Sequence, residues 1–255
     1  MASTKIASNK NVRFDLGAAT AVSSWDYLTL ADVNAMLNAS EATKWDGFDV
    51  GHQASEQDED RALTDSAGAS TRGYENYGGT ANFFMPVPTD TSSVERRTRN
   101  LVSTLHTELA AVVRPGVRAS APWAAGQVYN AYHTITDANR HARGDKNRYY
   151  TIAFKPRGAM IVNGIIPSST PKPVAISGDD TVDLGGVGQL RATYEGRDIT
   201  VGAHYVSSDP TVAEVTKHGV IIPLSAGTTN ITATYPGSAA GSTFEVTVGS
   251  GGGGG

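Results

Sequence analysis

The stretch between residues 207 and 235 constrains the fold most, because short apolar runs alternate there with residues that form turns. Asp209-Pro210 begins a turn, since proline fixes φ and the aspartate side chain accepts hydrogen bonds from following backbone amides. Gly219 supplies a tight reversal before the apolar run at 220–224. Apolar and polar residues then alternate through 230–235, the pattern of a half-buried strand. This part of the chain therefore predicts several short β-strands joined by tight turns.

The order of these motifs resembles the bacterial Ig-like domain of group 2. The chain has a Ser-Ser-Asp-Pro turn, then Val-Ala-Glu-Val, a Gly-Val pair and Ala-Gly-Thr before an Ile-Thr-Ala strand. The chain departs from the pattern at Val206, where the family usually places a tryptophan. The resemblance implies that residues 174–248 form an Ig-like β-sandwich, an accessory module of adhesins, cell-surface enzymes and phage virion proteins. Such a fold does not fix a function.

Length and charge set bounds on the remainder of the chain. The 255 residues are enough for two domains that each bury a core. Residues 1–167 carry 17 basic and 17 acidic residues, and residues 168–255 carry 4 and 8, which is not the strongly basic footprint of a nucleic-acid reader. Cysteine is absent, which excludes disulfides, thiolate nucleophiles and Cys-ligated metals.

The first ten residues contain no apolar segment of the kind found in export signals. Surface adhesins that carry this Ig-like module normally need such a signal. We therefore expect either a mature fragment or a protein that reaches its place without secretion.

Residues 1–167 are expected to form a mainly β domain with one packed helix. Strands are expected at 12–16, at 72–85 with an interruption at Gly78-Gly79, at 127–136, at 148–154, and at 159–166, which is apolar enough to be buried on both faces. Residues 168–173 form a linker rich in proline and serine, and residues 249–255 form a flexible glycine-rich tail.

Two signals predict helices within this domain. Thr29 is an N-cap with Asp32 at N3, which opens a short helix. Residues 92–95 form a capping box before the strongest helix of the chain. Its apolar stripe consists of Leu101, Val102, Leu105, Leu109 and Val112, and Arg114-Pro115-Gly116 ends it.

Residues 46–65 are acidic, contain glycine and show little periodicity. This composition predicts a long exposed loop or an extended hairpin.

A single helix against a β-sandwich with long hairpin arms looks like the major tail (tail tube) protein of long-tailed phages. That protein often carries a C-terminal Ig-like module outside the tube. The resemblance implies a non-enzymatic virion protein of the phage tail, assembled in the host cytoplasm. Six subunits would close a ring by sheet pairing, rings would stack through the long loop, and DNA would pass through the lumen without sequence-specific binding. The resemblance further implies that tape-measure and tail terminator proteins are partners, and that host-surface glycans are a ligand of the Ig-like domain.

The side chains that carry chemistry show no catalytic pattern. The six histidines, at 52, 106, 133, 141, 204 and 218, lack zinc-site spacing, and His106 is expected on the polar side of the long helix. Glu56, Asp58, Glu59 and Asp60 are ligands of the type that Ca²⁺ takes, but they lack the alternating spacing of a calcium loop, so a solvated loop is favoured. We predict no catalytic residue, cofactor or metal.

Two basic features have ordinary explanations. Arg96, Arg97 and Arg99 are expected on solvated faces or in ion pairs between subunits, because the domain holds equal numbers of acids and bases. Arg143-Gly144-Asp145 matches the integrin tripeptide, but Gly-Asp in a charged loop is typical of a turn.

A second function class remains open from the sequence. It is a surface adhesin in which the N-terminal β domain holds the ligand site and the Ig-like domain is accessory. A phage capsid decoration or tail-fibre protein is a third possibility.

Overall fold

A computed structural model describes residues 11–53, 57–58, 71–72, 76–143 and 147–250. The chain divides into two compact units. The first comprises Met1–Trp123 and Val128–Gly164, and the second comprises Ala124–Gln127 and Ile165–Gly255. The architecture is mainly β, as the sequence predicts.

The first unit is built on one large sheet. In chain order its elements are β1 (Val12–Ala18), a 3-10 turn (Ala19–Ala21), α1 (Leu30–Ala35), β2 (Leu37–Asn38), β3 (Asp49–Gln53), β4 (Gln57–Asp58), β5 (Thr71–Arg72), β6 (Asn76–Phe84), α2 (Val94–Val102), β7 (Glu108–Pro115), β8 (Val128–Arg143) and β9 (Arg148–Ile165). Seven strands form the sheet in the order β2-β1-β7-β8-β9-β6-β3, and β4 pairs with β5 separately. Strand β1 confirms the strand predicted at 12–16.

The sheet curls until its two sides meet around an aromatic core. Phe14 of β1 lies 6.4 Å from Phe83 of β6, ring centre to ring centre, although three strands separate β1 from β6 in the sheet. The segment after β2 joins the two sides, because Ala39 donates its N–H to the Phe14 carbonyl (2.8 Å) and Ala42 accepts from Phe84 (2.9 Å). The first unit is therefore barrel-like, with its core inside the curl.

The opposite face of the sheet is covered by the segment that contains α1. The Leu28 N–H donates to the Tyr129 hydroxyl at 2.6 Å, and a Cβ on Gly17 would lie only 2.8 Å from Met36. Helix α1 begins with the predicted capping box, in which the Thr29 and Asp32 side chains each accept from the other residue's backbone N–H. Because that cap satisfies otherwise unpaired amides, it fixes where the segment turns onto the sheet.

The long helix predicted after residue 92 is wrong in its start and its length. The cap is Ser93, whose side chain accepts from the Arg96 N–H, and α2 ends at Val102. Leu109 and Val112 lie instead on β7, between β1 and β8. An apolar run such as 109–113 is compatible with a buried strand as well as with a helix. It forms a strand here because β1 and β8 pair with it on either side.

The observed extents of β6 and β9 correct two further strand predictions. Gly78 and Gly79 do not interrupt β6, which runs through both with positive φ. The strands expected at 148–154 and 159–166 are one continuous strand, β9. The second was expected to be buried on both faces, yet Ala159 is exposed and Val162 is 48% exposed, because no described strand or helix covers this part of β9.

The second unit is a two-sheet β-sandwich. Its strands are β10 (Ala175–Gly178), β11 (Thr181–Asp183), β12 (Gly188–Tyr194), β13 (Arg197–Asp198), β14 (His204–Ser207), β15 (Ala213–Val215), β16 (Val220–Pro223), β17 (Gly227–Thr234) and β18 (Thr243–Gly249). One sheet has the order β10-β12-β16-β15 with β13 beside β12, and the other has β11-β18-β17-β14. Leu190 and Ile221 from the first sheet share one core with Ile231 and Val246 from the second.

Val206, where the chain departs from the family pattern, is 49% exposed, and the neighbouring Tyr205 packs against the core. Successive strand residues point to opposite faces, so a shift of one position exchanges core and solvent.

Residues 168–172 are bound to the second unit. Ser168 donates its N–H to the Glu195 carboxylate at 3.1 Å, and Lys172 Nζ lies 3.1 Å from the same carboxylate.

Candidate assembly interface

The most prominent surface feature of the first unit is the β8–β9 hairpin, whose strands have 16 and 18 residues. Strands of this length extend about 55 Å. The ladder to β7 covers only part of β8 and ends at the pair Glu108↔Ile135. The ladder to β6 covers only part of β9 and ends at Gly79↔Phe154. Most of the hairpin therefore extends past the strands that flank it.

This arrangement leaves two open strand edges. Within the described residues, no strand lies beside 137–143 of β8 on the β7 side, or beside 155–163 of β9 on the β6 side. Residues 155–159 are all exposed. The two edges lie on opposite sides and at opposite ends of the hairpin. Unpaired edges of this kind are templates for pairing with another chain.

Tyr77 of β6 supports the hairpin where β9 leaves β6. Its hydroxyl accepts hydrogen bonds from the N–H groups of Arg157 (3.1 Å) and Gly158 (2.9 Å), and it lies 2.7 Å from the His133 carbonyl of β8. Pro156 lies just before this point and has no N–H to donate. The tyrosine hydroxyl thus satisfies backbone groups of both β8 and β9.

A polar cluster lies beside that point. Arg157 Nε donates to Glu108 Oε1 at 2.8 Å, and His133 Nε2 lies 3.2 Å from Glu108 Oε2. The hydrogen bond from Arg157, followed by that from His133, holds the pKa of Glu108 below its ordinary value. The ring of Trp25 stacks on His133 at 4.8 Å. The cluster links β7, β8 and β9 at the base of the open β9 edge.

A buried ionic cluster fixes the loop after β7. Asp15 is fully buried, with Arg13 Nε 2.7 Å from its carboxylate and the indole N–H of Trp123 donating to it at 3.2 Å. Burial raises the pKa of Asp15, and the hydrogen bonds from Arg13 and Trp123 oppose that rise. Arg114 is also fully buried and lies 4.7 Å from the Trp123 ring. This network ties residues 118–123 to the sheet.

A groove of about 520 Å³ lies at the end of β6 where residues 85–88 leave the sheet. Arg96, Arg99 and Arg148 line it, and none of the described residues in its wall is a carboxylate; we call it the arginine groove. Arg96 donates to the carbonyls of Asp90 and Val87. Arg148 is exposed, and within the described residues its side chain forms no ion pair. An adjoining groove has Glu41, Asp90 and Glu95 in its wall.

Among the described residues, no group of three His, Asp or Glu side chains is arranged to hold a metal ion. His106 does not lie on a helix; it has a φ of 60° and donates its N–H to the Thr136 carbonyl. The acids at 56, 59 and 60, and the Gly144-Asp145 pair, lie outside the described residues. No helix in the described part of the chain is long and apolar enough to cross a membrane.

Sequence reasoning missed Tyr77, Asp15 and Trp123. Asp15 gave a signal, because a charged residue at the centre of a predicted strand needs a buried partner. Tyr77 gave none, since its partners lie about 80 residues away along the chain.

The comparisons with known proteins agree with a structural role. No curated protein matches the chain. The sequence profile of the phage tail tube proteins matches residues 1–169, which include the sheet, both open edges and the arginine groove. Proteins of that family are structural rather than catalytic and assemble into the tube of the virion tail. The chain therefore belongs to the phage tail tube protein family.

Proposed function

We propose that six copies of the first unit close a ring through the open edges of the β8–β9 hairpin, and that stacked rings form the conduit for phage DNA ejection. The observation that carries this proposal is the pair of edges at 137–143 and 155–163. One edge of a copy faces one neighbour and the other edge faces the opposite neighbour. A contact between two different patches is heterologous, and it closes a ring when the rotation permits.

The paired hairpins would form a continuous inner barrel. Each open edge presents N–H and C=O groups that pair with the next copy without special side chains. The lumen is expected to expose few arginines, because phosphate-binding charges would hold a passing genome. Tape-measure and tail terminator proteins are the expected partners at the ends of the tube.

We infer that the second unit is an Ig-like domain of group 2 displayed on the tail exterior, with a linker rich in proline and serine at 168–173 and a flexible glycine-rich tail at 249–255. Support comes from the two-sheet core and from the Ser-Ser-Asp-Pro turn, in which Asp209 Oδ1 accepts from the Thr211 N–H at 3.0 Å. Host-surface glycans are the proposed ligand of this domain.

Electron microscopy of residues 1–167 at high concentration tests the proposal. We expect hollow tubes with the inner diameter of full-length tubes, because the second unit contributes no lumen wall. A truncated chain that stays monomeric while the full-length chain forms tubes would contradict the placement of all assembly contacts in the first unit.

The edge itself is tested by Val162→Lys in the full chain, because lysine on an edge strand prevents pairing. Val187→Lys is the matched control, since Val187 is 73% exposed and lies in the second unit. We expect tubes from the control and not from Val162→Lys. Equal tube formation by both variants would show that the β9 edge is not the contact.

A further inference from the structure

One end of the second unit exposes a group of large apolar side chains. Ten such side chains are exposed among the described residues of the whole chain, and four of them lie at this end: Leu184, Val187, Ile222 and Leu224. Val187 is 73% exposed and Leu224 is 50% exposed. We call these four residues the apolar end patch. Exposed apolar side chains that cluster mark places where a protein contacts a partner.

The strand register brings the members of the patch together. The ladder between β12 and β16 includes the pair Gly188↔Ile221, so Val187, one position before Gly188, lies beside Ile222. Ile221 is buried in the core, and because side chains alternate between the faces of a strand, Ile222 points outward. Leu224 follows two positions after Ile222. The patch therefore continues from one strand to the next on the outer face of its sheet.

Carboxylates border the apolar end patch. Glu214 of β15 is the direct partner of Ile222 in the sheet, and Asp183 precedes Leu184 in the chain. Both acids are exposed, and within the described residues neither forms an ion pair. No lysine or arginine occurs in the segments that meet at this end, which are 178–189, 205–216 and 220–228. The surface is thus apolar at its centre and acidic at its border.

The patch lies at the end of the sandwich opposite to the bound linker. Strand β12 begins beside the patch at Gly188 and ends at Tyr194, which is about 20 Å away for a strand of this length. The next residue, Glu195, accepts the hydrogen bond from the Ser168 N–H. The linker residues that are bound to Glu195 therefore leave the patch uncovered.

We propose that the apolar end patch docks a basic amphipathic polypeptide, which presents lysine or arginine side chains around an apolar centre. Burial of the apolar side chains supplies affinity, and the complementary charges at the border orient the partner. A second copy of this chain would bring two acidic borders together, and an anionic membrane would meet the same repulsion. The charges therefore favour a basic partner over both. This inference rests on the second unit alone and does not require tube assembly.

Fluorescence anisotropy tests the proposal with the full-length chain and labelled helical peptides. The probe is a short amphipathic peptide of lysine and leucine. Two control peptides each keep one property, since one consists of glutamate and leucine and the other of lysine and serine. We expect the lysine–leucine peptide to bind at least about tenfold more tightly than either control. A control peptide that binds as tightly as the probe would overturn the proposal, because one half of the surface would then play no part.

Substitutions in the patch test its location. We expect Val187→Ser combined with Ile222→Ser to weaken binding of the lysine–leucine peptide at least about tenfold, because two apolar side chains are no longer buried in the complex. Val201→Ser combined with Val206→Ser is the matched control, since both side chains are exposed and lie on the second unit outside the patch. Circular dichroism melts of both variants check that the fold is retained. Equal affinities of the two variants would show that the patch is not the docking site.

Neutral substitutions test the acidic border. We expect Asp183→Asn combined with Glu214→Gln to weaken binding at least about threefold and to reduce its dependence on salt, because exposed charge pairs are screened. If affinity and salt dependence both stay at the wild-type values, the carboxylates do not contact the peptide and the proposal is wrong.

Co-sedimentation with vesicles of anionic phospholipid tests the other occupant. We expect the wild-type chain and the Val187→Ser, Ile222→Ser variant to bind these vesicles equally weakly. Vesicle binding that this variant loses would overturn the proposal in favour of a membrane. A wild-type chain that forms no tubes contradicts the proposed function, whereas the peptide affinities still decide this inference.

Discussion

The hydroxyl of Tyr77 on β6 lies 2.9 Å from the backbone nitrogen of Gly158 on β9, and it accepts the hydrogen bond of that amide. The same hydroxyl reaches the His133 carbonyl of β8. A side chain of the core thus holds both strands of the hairpin at the point where β9 leaves β6. The position of the open edge depends on this contact.

We expect Tyr77→Phe to lower the free energy of unfolding by about 1–2 kcal/mol, because it removes the hydrogen bonds that the hydroxyl forms with backbone groups of β8 and β9. The ring and its stacking on Tyr132 at 5.7 Å remain. Urea unfolding followed by tryptophan fluorescence measures the change, since all three tryptophans lie in the first unit. A change below about 0.5 kcal/mol, the size of an ordinary surface substitution, would show that the hydroxyl does not support the hairpin.

Asp15→Asn is expected to destabilise the first unit by about 3 kcal/mol, because Arg13 and Arg114 would lose their buried counter-charge. The same urea experiment measures the loss. Asp26→Asn serves as control, since Asp26 is exposed and its substitution should cost less than about 0.5 kcal/mol. Equal midpoints for the two variants would refute a stabilising role for the cluster.

The cap of α1 predicts a pH-dependent contribution to stability. Burial by itself raises the pKa of Asp32, but hydrogen bonds from Thr29 and Ser23 outweigh it and hold the pKa below its ordinary value of 3.8. A depressed pKa means that the stabilisation is complete above pH 3.8 and is lost as the pH falls through the lower, folded-state value.

Asp32→Ala should therefore cost about 1–2 kcal/mol at pH 7, and the difference from wild type should shrink as the pH falls below 3.8. Urea unfolding at a series of pH values measures this. A difference that stays constant down to the lowest pH would show that the charged form of the carboxylate is not the stabilising species.

Residues 172–249 are expected to fold alone as a monomeric all-β domain, because the sandwich contains its own core. A longer fragment, 165–250, should melt about 4–8 °C higher, since it retains the hydrogen bond from Ser168 to Glu195. Circular dichroism melts of both fragments measure these values. A disordered 172–249 would disprove its independence.

Deleting residues 54–60 should abolish tubes while leaving the protomer folded. The deletion keeps the pair Gln53↔Asn76 and removes four acidic residues from the loop through which rings are expected to stack, and loops of this kind contribute little to a core. Electron microscopy and a urea melt of the same sample give both results. Tubes of wild-type length from the deletion variant would refute the role of the segment.

The sequence by itself determined the features that depend only on neighbouring residues. The Thr29–Asp32 cap, the strand at 12–16 and the alternation at 148–154 each follow from neighbours in the chain, and each is present in the structure. The missing cysteines likewise exclude disulfides and thiolate ligands of this chain before any fold is known.

Only the tertiary structure decided what depends on distant partners. Leu109 belongs to a strand because β1 and β8 pair on both sides of it, and an apolar run alone does not distinguish that strand from a buried helix. Val162 is 48% exposed because no described strand or helix covers its part of β9. The open edges and the arginine groove arise where strands of unequal length lie side by side. Pairing between strands that are far apart in the sequence is not encoded in any local pattern.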